Sequence, residues 1–120
     1  MNREESSTDL GRIKIHRNVI ASITSIAAIQ TEGVKSIGKN FSARFHEFLD
    51  RKENAGPGAI RVELDKNGDV RVEIPLVIKY GYNIPDVASK VQEHVRASLE
   101  KMTSLSIKDI NVNVQGMEKA

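Results

Sequence analysis

The stretch from Val70 to Met117 constrains the fold most, because it reads as strand, turn, amphipathic helix and strand without interruption. Val70, Val72, Ile74, Leu76, Ile78 and Tyr80 recur every second residue, with Arg71, Glu73 and Lys79 on the alternate positions, the signature of a strand with one buried face. After Gly81 the run Tyr82-Asn83-Ile84-Pro85 starts a helix, with Asn83 or Ile84 near the cap and Pro85 suited to the first turn. Val87, Val91, Val95, Leu99 and Met102 then form an apolar stripe at helical spacing. Ile110, Val112 and Val114 alternate with Asn111 and Asn113 in a closing strand. Nothing inside this stretch is a catalytic motif, so it specifies architecture and leaves the protein to work through a surface.

The arm before it completes a hairpin. Ile60, Val62 and Leu64 alternate with Arg61 and Glu63, and the connection Lys66-Asn67-Gly68-Asp69 carries the turn chemistry. A two-residue Asn67-Gly68 turn would oppose Leu64 to Arg71. A three-residue loop with Gly68 in the left-handed bulge position opposes Leu64 to Val70 and Val62 to Val72, which keeps one face apolar and is the preferred register. Pro75 has no ladder donor, so the long strand is either at an edge there or bulged.

Toward the N-terminus, residues 1–10 are charged and small with almost nothing to bury, and read as a flexible tail. Ile13 and Ile15 alternate with Arg12, Lys14 and His16 as a strand. Val19, Ile20, Ile23, Ile26, Ala27 and Gln30 follow at helical spacing, with Gly33 as a C-terminal cap, and Val34 to Ile37 suggests a short strand. Ile and Val are mediocre helix formers, so this helix depends on packing. Residues 39–58 read as an insertion: Phe41, Phe45, Phe48 and Leu49 share one face of a short helix, and Gly56, Pro57 and Gly58 break it. Residues 11–117 then make a single domain, and 118–120 a short tail. The strand–helix–strand pattern occurs at both ends of the chain, which allows a duplicated βαβ unit.

The expected fold class is α+β: a two-layer sandwich of a mixed β-sheet with two long helices on one face, in the order β-α-β-(short α)-β-β-α-β. The opposite faces of the strands carry Arg12 and Lys14, Arg61 and Glu63, Arg71, Glu73 and Lys79, and Asn111 and Asn113. That face is left wet or open to a partner.

Composition narrows the chemistry. The chain has no Cys, which excludes disulfides, thiolate ligands and a cysteine nucleophile, and makes the cytoplasm the default compartment. No apolar run reaches the roughly 18 residues of a transmembrane helix, and the polar start lacks the pattern of a signal peptide, so direct membrane insertion is not expected. His16, His46 and His94 share no metal-ligand spacing, and no GxSxG, Walker loop or GxGxxG occurs. Neither catalytic, metal nor cofactor-binding residues are therefore assigned. Glu63 with Glu73, or Asp65 with Asp69, could face each other across the hairpin, but near Arg61 and Arg71 they read as solvated charges. A sequence pI near 9.0 raises the alternative of a small nucleic-acid-binding regulatory module. The net charge is only +2, with 18 basic residues against 16 acidic, and the interleaved charges make no basic stripe. Candidate interaction residues are Phe41, Phe45, Phe48 and Leu49, which either cap the core or dock a partner, together with Arg71, Glu73, Lys79, Asn111 and Asn113.

Taken in order, these residues also resemble a known family. An early glycine-led strand at Gly11, a helix ending in Gly33-Val34, Tyr80-Gly81, a helix carrying Val91-Gln92 and a closing Val112-Asn113-Val114 are similar to the alkaline shock protein and general-stress family of bacterial envelope-response proteins. The resemblance runs from Gly11 to Met117. Ser104 stands where family members commonly have Gly, and residues 39–58 match no family motif. The resemblance implies a cytoplasmic, non-enzymatic, self-associating scaffold or adaptor. It further implies a place near the inner face of the membrane through a separate anchoring protein, a role in envelope or alkaline stress or in lipid metabolism, and no cofactor.

Overall fold

A computed structural model describes residues 5–8, 10–38 and 59–119, without the side chains of 5–8 and 11–14. Its elements are β1 (Glu5–Thr8), β2 (Gly11–Lys14), α1 (Arg17–Ile29), β3 (Val34–Ile37), β4 (Arg61–Leu64), β5 (Asp69–Lys79), α2 (Ile84–Met102) and β6 (Ser106–Glu118). The fold is α+β, with a mixed four-stranded sheet and both helices contributing to one core.

β5 is the centre of the sheet, paired along both edges, and its alternate residues Val70, Val72, Ile74, Leu76 and Ile78 are buried along its whole length. β6 runs parallel to it from Asp69↔Ser106 to Lys79↔Glu118, and α2 supplies the crossover that a parallel pair needs. The other edge of β5 is shared by two short antiparallel strands, β4 against Val70 to Glu73 and β3 against Leu76 to Ile78. Pro75 falls in the gap between them. Its carbonyl accepts from the Gly38 N–H at 3.0 Å, so its own nitrogen faces that same edge, where no ladder donor is missed. Of the two explanations for this proline, the local edge is the one that applies.

The hairpin register is Leu64↔Val70 and Val62↔Val72, as the alternation demands. The Asp65 carboxylate holds the loop by accepting from the N–H groups of Asn67 at 2.9 Å and Asp69 at 3.0 Å, and Gly68 adopts φ +90°. These bonds, that to Asp69 foremost, hold the Asp65 carboxyl below its ordinary range.

α2 begins as its sequence requires: the Asn83 side chain accepts from the Asp86 N–H at 3.0 Å, and Pro85 sits in the first turn. Val87, Val91, Val95 and Leu99 are buried, contributing roughly 6–12 kcal/mol gross as an upper bound. Met102 is not part of that stripe. It is 64% exposed at the end of the helix, where the Thr103 N–H bonds back to the Leu99 carbonyl. Tyr80 likewise leaves the apolar face of β5, since the strand stops at Lys79 and Tyr80 enters the Gly81 turn.

The buried face of α1 is rotated from the one expected: Ile20 and Ala27 are buried and Ile23 packs on the core as the spacing suggests, but Val19 and Ile26 turn outward. The buried residues of the helix are Ile20, Ala21, Thr24, Ser25, Ala27 and Ala28. Both stripes have helical spacing; the small residues at 21, 24, 25, 27 and 28 let the inner one seat against α2 and β3. The helix closes at Gln30, and Gly33 serves the following turn with φ +99° instead of capping the helix. Any side chain there would be strained and would displace its neighbours, since a Cβ on Gly33 would lie 2.7 Å from Val87 Cγ2 and 2.9 Å from Tyr82 Cδ2.

Two further expectations are corrected. Residues 5–8 form a strand, not a frayed tail, because a hairpin with Gly11–Lys14 satisfies their backbone without requiring apolar side chains. β2 therefore pairs with β1 and takes no place in the main sheet, so the N-terminal strand–helix–strand is not a second copy of the C-terminal βαβ unit.

Candidate interaction surface

The reverse face of the sheet is built by the alternate residues of β4, β5 and β6. Register places them in rows: Glu63, Arg71 and Asp109 form one, and Arg61, Glu73 and Asn111 form the next. Arg71 Nε lies 3.3 Å from Asp109 Oδ2, and Arg61 Nη1 lies 3.9 Å from Glu73 Oε1. Each pair is about half exposed, so each contributes at most about 1 kcal/mol. Their consequence is electrostatic: positive and negative charges alternate in both directions, and the face presents no field of one sign. Glu63 and Glu73 each stand opposite an arginine, which removes the close carboxylate pair that acid–base chemistry would need. Pro75 and Val77 interrupt the polar pattern, and Val77 is fully buried although it lies outside the main core cluster.

Of the residues singled out in the sequence, Arg71, Glu73, Asn111 and Asn113 share this face, with Glu73, Asn111 and Asn113 exposed and Arg71 partly covered. Lys79 is on it too, half-buried at the far end of β5. Phe41, Phe45, Phe48 and Leu49 lie outside the described residues, as does the whole of 39–58.

Several participants were not singled out. Asp109 completes the first row, and only the parallel register of β6 brings it beside Arg71. Gln92 and Arg96 reach from α2 to the rim of β6, donating to the carbonyls of Ile110 and Ile107, both at 2.9 Å. A groove of about 380 Å³ follows this seam, lined by Gln92, Glu93, Arg96, Lys108 and Asn111 among others. Val19, Ile26 and Ile29 are exposed on α1; the spacing 19, 26, 29 was as visible as the buried one, but spacing does not choose between them.

His46 lies outside the described residues, and among those described neither His16 nor His94 belongs to a group that could hold a metal ion. His16 is the exposed N-cap of α1 and makes no side-chain cap bond. His94 is exposed, yet its Nδ1 lies 2.8 Å from the buried Thr31 hydroxyl. That hydroxyl donates to the Ala27 carbonyl at 2.9 Å, so Nδ1 is the donor in the pair with His94. Nearby, Tyr82 donates to Glu32 Oε2 at 3.2 Å, and the carboxylate it faces pushes the phenol above its ordinary value. Among the described residues there is no group of three His, Cys, Asp or Glu that could hold a metal ion.

A charge-balanced, largely exposed sheet face with no metal-binding cluster among the described residues leaves the family comparison to decide identity. The profile of the ASP23 family, described as having cell envelope-related function, matches residues 5–119. The chain belongs to that family. Among ASP23-family relatives, YqhY of Bacillus subtilis is 36% identical over 115 residues, covering 96% of this chain and 83% of its own length. A stress response regulator gls24 homolog of Streptococcus pyogenes is 24% identical over 112 residues, covering 93% of this chain and 62% of its own length. Two solved MamM-CTD variants share the fold at TM-score 0.51 with 13% identity, covering 84% and 85% of this chain and 98% and 99% of theirs. No helix among the described residues of this ASP23-family chain is long and apolar enough to cross a membrane.

Proposed function

We propose that this protein is a non-enzymatic, self-associating scaffold or adaptor of the cell-envelope stress response, held near the membrane by a partner protein. The observation that carries the reading is the reverse sheet face: both helices lie on the other side, and Arg61, Glu73, Arg71 and Asp109 neutralise one another on a face where Glu73, Asn111 and Asn113 are exposed. A balanced, mostly polar face suits a protein partner, whereas nucleic acid or an anionic lipid surface calls for excess positive charge. Family membership with cell envelope-related function supports the setting. Arg71, Glu73, Lys79, Asn111 and Asn113 are the contacts assigned to that face, with Phe41, Phe45, Phe48 and Leu49 as a second candidate contact.

The test has two arms. Light scattering behind size exclusion, over a concentration series, should show assemblies larger than one chain. Proximity labelling in the native cell should recover a membrane protein with the wild type and lose it with the charge-swapped pair Glu73→Lys and Lys79→Glu. A strictly monomeric chain with no membrane-fraction neighbour would overturn the reading.

A further inference from the structure

Among the described residues, the edge of β6 away from β5 is met by α2 side chains along only its N-terminal half. At the N-terminal half, the carbonyls of Ile107 and Ile110 are taken by Arg96 and Gln92, and Arg96 is steadied by Glu100 at 3.7 Å. One helical turn back on α2 stand Ala88 and Ser89, whose short side chains carry no amide or guanidinium to the next part of the strand. The strand alternates, so with the Ile110 carbonyl aimed outward, the N–H and C=O groups of Val112 and Val114 are aimed outward as well. Among the described residues β6 pairs with β5 alone, so no strand meets those groups. Their side chains are also incompletely covered: Ile107 and Ile110 are buried, but Val112, Val114 and Met117 only partly.

Sheet edges in native proteins are ordinarily blunted by charge, proline or a covering element. From Ile110 to Met117 there is no charged residue and no proline, directly after Lys108 and Asp109. Bulges flank the straight part on both sides, one between Ile107 and Asp109 opposite Val70 and Arg71, and one between Val114 and Gly116 opposite Leu76 and Val77, so the straight edge runs from Asp109 to Val114.

We infer that this edge pairs with the same edge of a second copy, antiparallel across a two-fold axis at Asn113. The inference rests on the self-association proposed above and names its surface. In that register Val112 opposes Val114 of the other copy, and the two outward-facing residues of each chain exchange N–H and C=O groups as hydrogen-bonded pairs. Val112 and Val114 continue the apolar layer into the neighbour, completing their burial. On the reverse face Asn113 meets Asn113 on the axis, a pair of neutral amides with no like charges opposed. A charged or proline-bearing peptide would forfeit that match, which is why the occupant is a second copy.

The experiment uses the full chain, which contains no cysteine of its own. Asn113→Lys puts two ammonium groups face to face on the axis and should weaken association roughly tenfold or more, while the melting temperature stays near that of the wild type because the side chain is exposed. Asn113→Cys places one thiol per copy at a close, non-hydrogen-bonded pair and should oxidise to a covalent dimer far faster than Lys90→Cys on the exposed side of α2. If the wild type associates but Asn113→Lys associates equally well and Asn113→Cys crosslinks no faster than the control, the edge pairing is wrong and another surface mediates assembly. A wild type that stays monomeric at every concentration overturns both this pairing and the self-association reading.

Discussion

The two strand–helix–strand halves of this chain look alike in sequence and are held together differently. In the C-terminal half, β5 and β6 are neighbours in one sheet and α2 is capped, amphipathic and buried along a single stripe. In the N-terminal half, β2 belongs to a separate hairpin, β3 attaches antiparallel to β5, and α1 has neither a side-chain cap nor a charged residue beyond Arg17. The lesson is that a shared hydrophobic rhythm specifies elements, not their partners. The C-terminal half has locally sufficient signals, whereas the N-terminal half takes its arrangement from what it packs against. The junction between them is short and tight: Gly33 beneath Tyr82 and Val87, the Tyr82–Glu32 bond, and the His94–Thr31 bond.

The largest test of this contrast compares one residue from each helix. Leu99→Ala in α2 should cost about 2–5 kcal/mol in urea unfolding, since a fully buried side chain leaves a cavity. Ile26→Ala in α1 removes a side chain of similar size that is 58% exposed and should stay within about 0.5 kcal/mol. A large loss at Ile26 would show that the outer stripe of α1 is covered in solution.

Next in size is the junction. Gly33→Ala combines a left-handed backbone with the approach of Val87 and Tyr82, and should cost about 2–4 kcal/mol by thermal unfolding. A near-neutral outcome would mean that the halves yield at this contact.

The helix caps should move in opposite directions. Asn83→Ala removes the bond to Asp86 and should destabilise by about 1 kcal/mol, whereas His16→Asp gives α1 the acceptor it lacks and should stabilise by up to about 1 kcal/mol. Calorimetry on both variants checks the asymmetry directly.

The smallest effect is a pH dependence at the junction. Tyr82 is held above its ordinary value of 10.0 by Glu32, so the folded state keeps the phenol protonated where the unfolded chain would release it. Its stabilising contribution is complete below pH 10 and is lost as pH rises through the folded value. Tyr82→Phe should flatten that alkaline limb of a stability–pH curve, and an unchanged limb would assign it to other groups.

How far the fold was legible follows the same division. The β4–β5 register could be read because Asn67-Gly68 and the alternation on both arms agree, and α2 because Asn83, Pro85 and its stripe agree. Where two local solutions were equally good, reading stopped: the inner face of α1 depended on α2 and β3, and the partner of β2 on residues 5–8. Arg71, Glu73, Asn111 and Asn113 could be placed on one face by strand parity alone. Their partner Asp109, and the half-covered rim beside Gln92 and Arg96, required the parallel register of β6, which joins residues nearly forty apart in sequence.

Sequence by itself determined the α+β class, the hairpin register, the start of the second helix and the absence of thiol chemistry, because each rests on residues close together along the chain. The tertiary structure alone decided which stripe of α1 is buried, which charges neutralise one another on the reverse face, and, among the described residues, which length of β6 meets no side chain from α2. Those properties depend on what lies opposite a residue across a sheet or a helix contact, and a one-dimensional pattern contains no information about what that neighbour is.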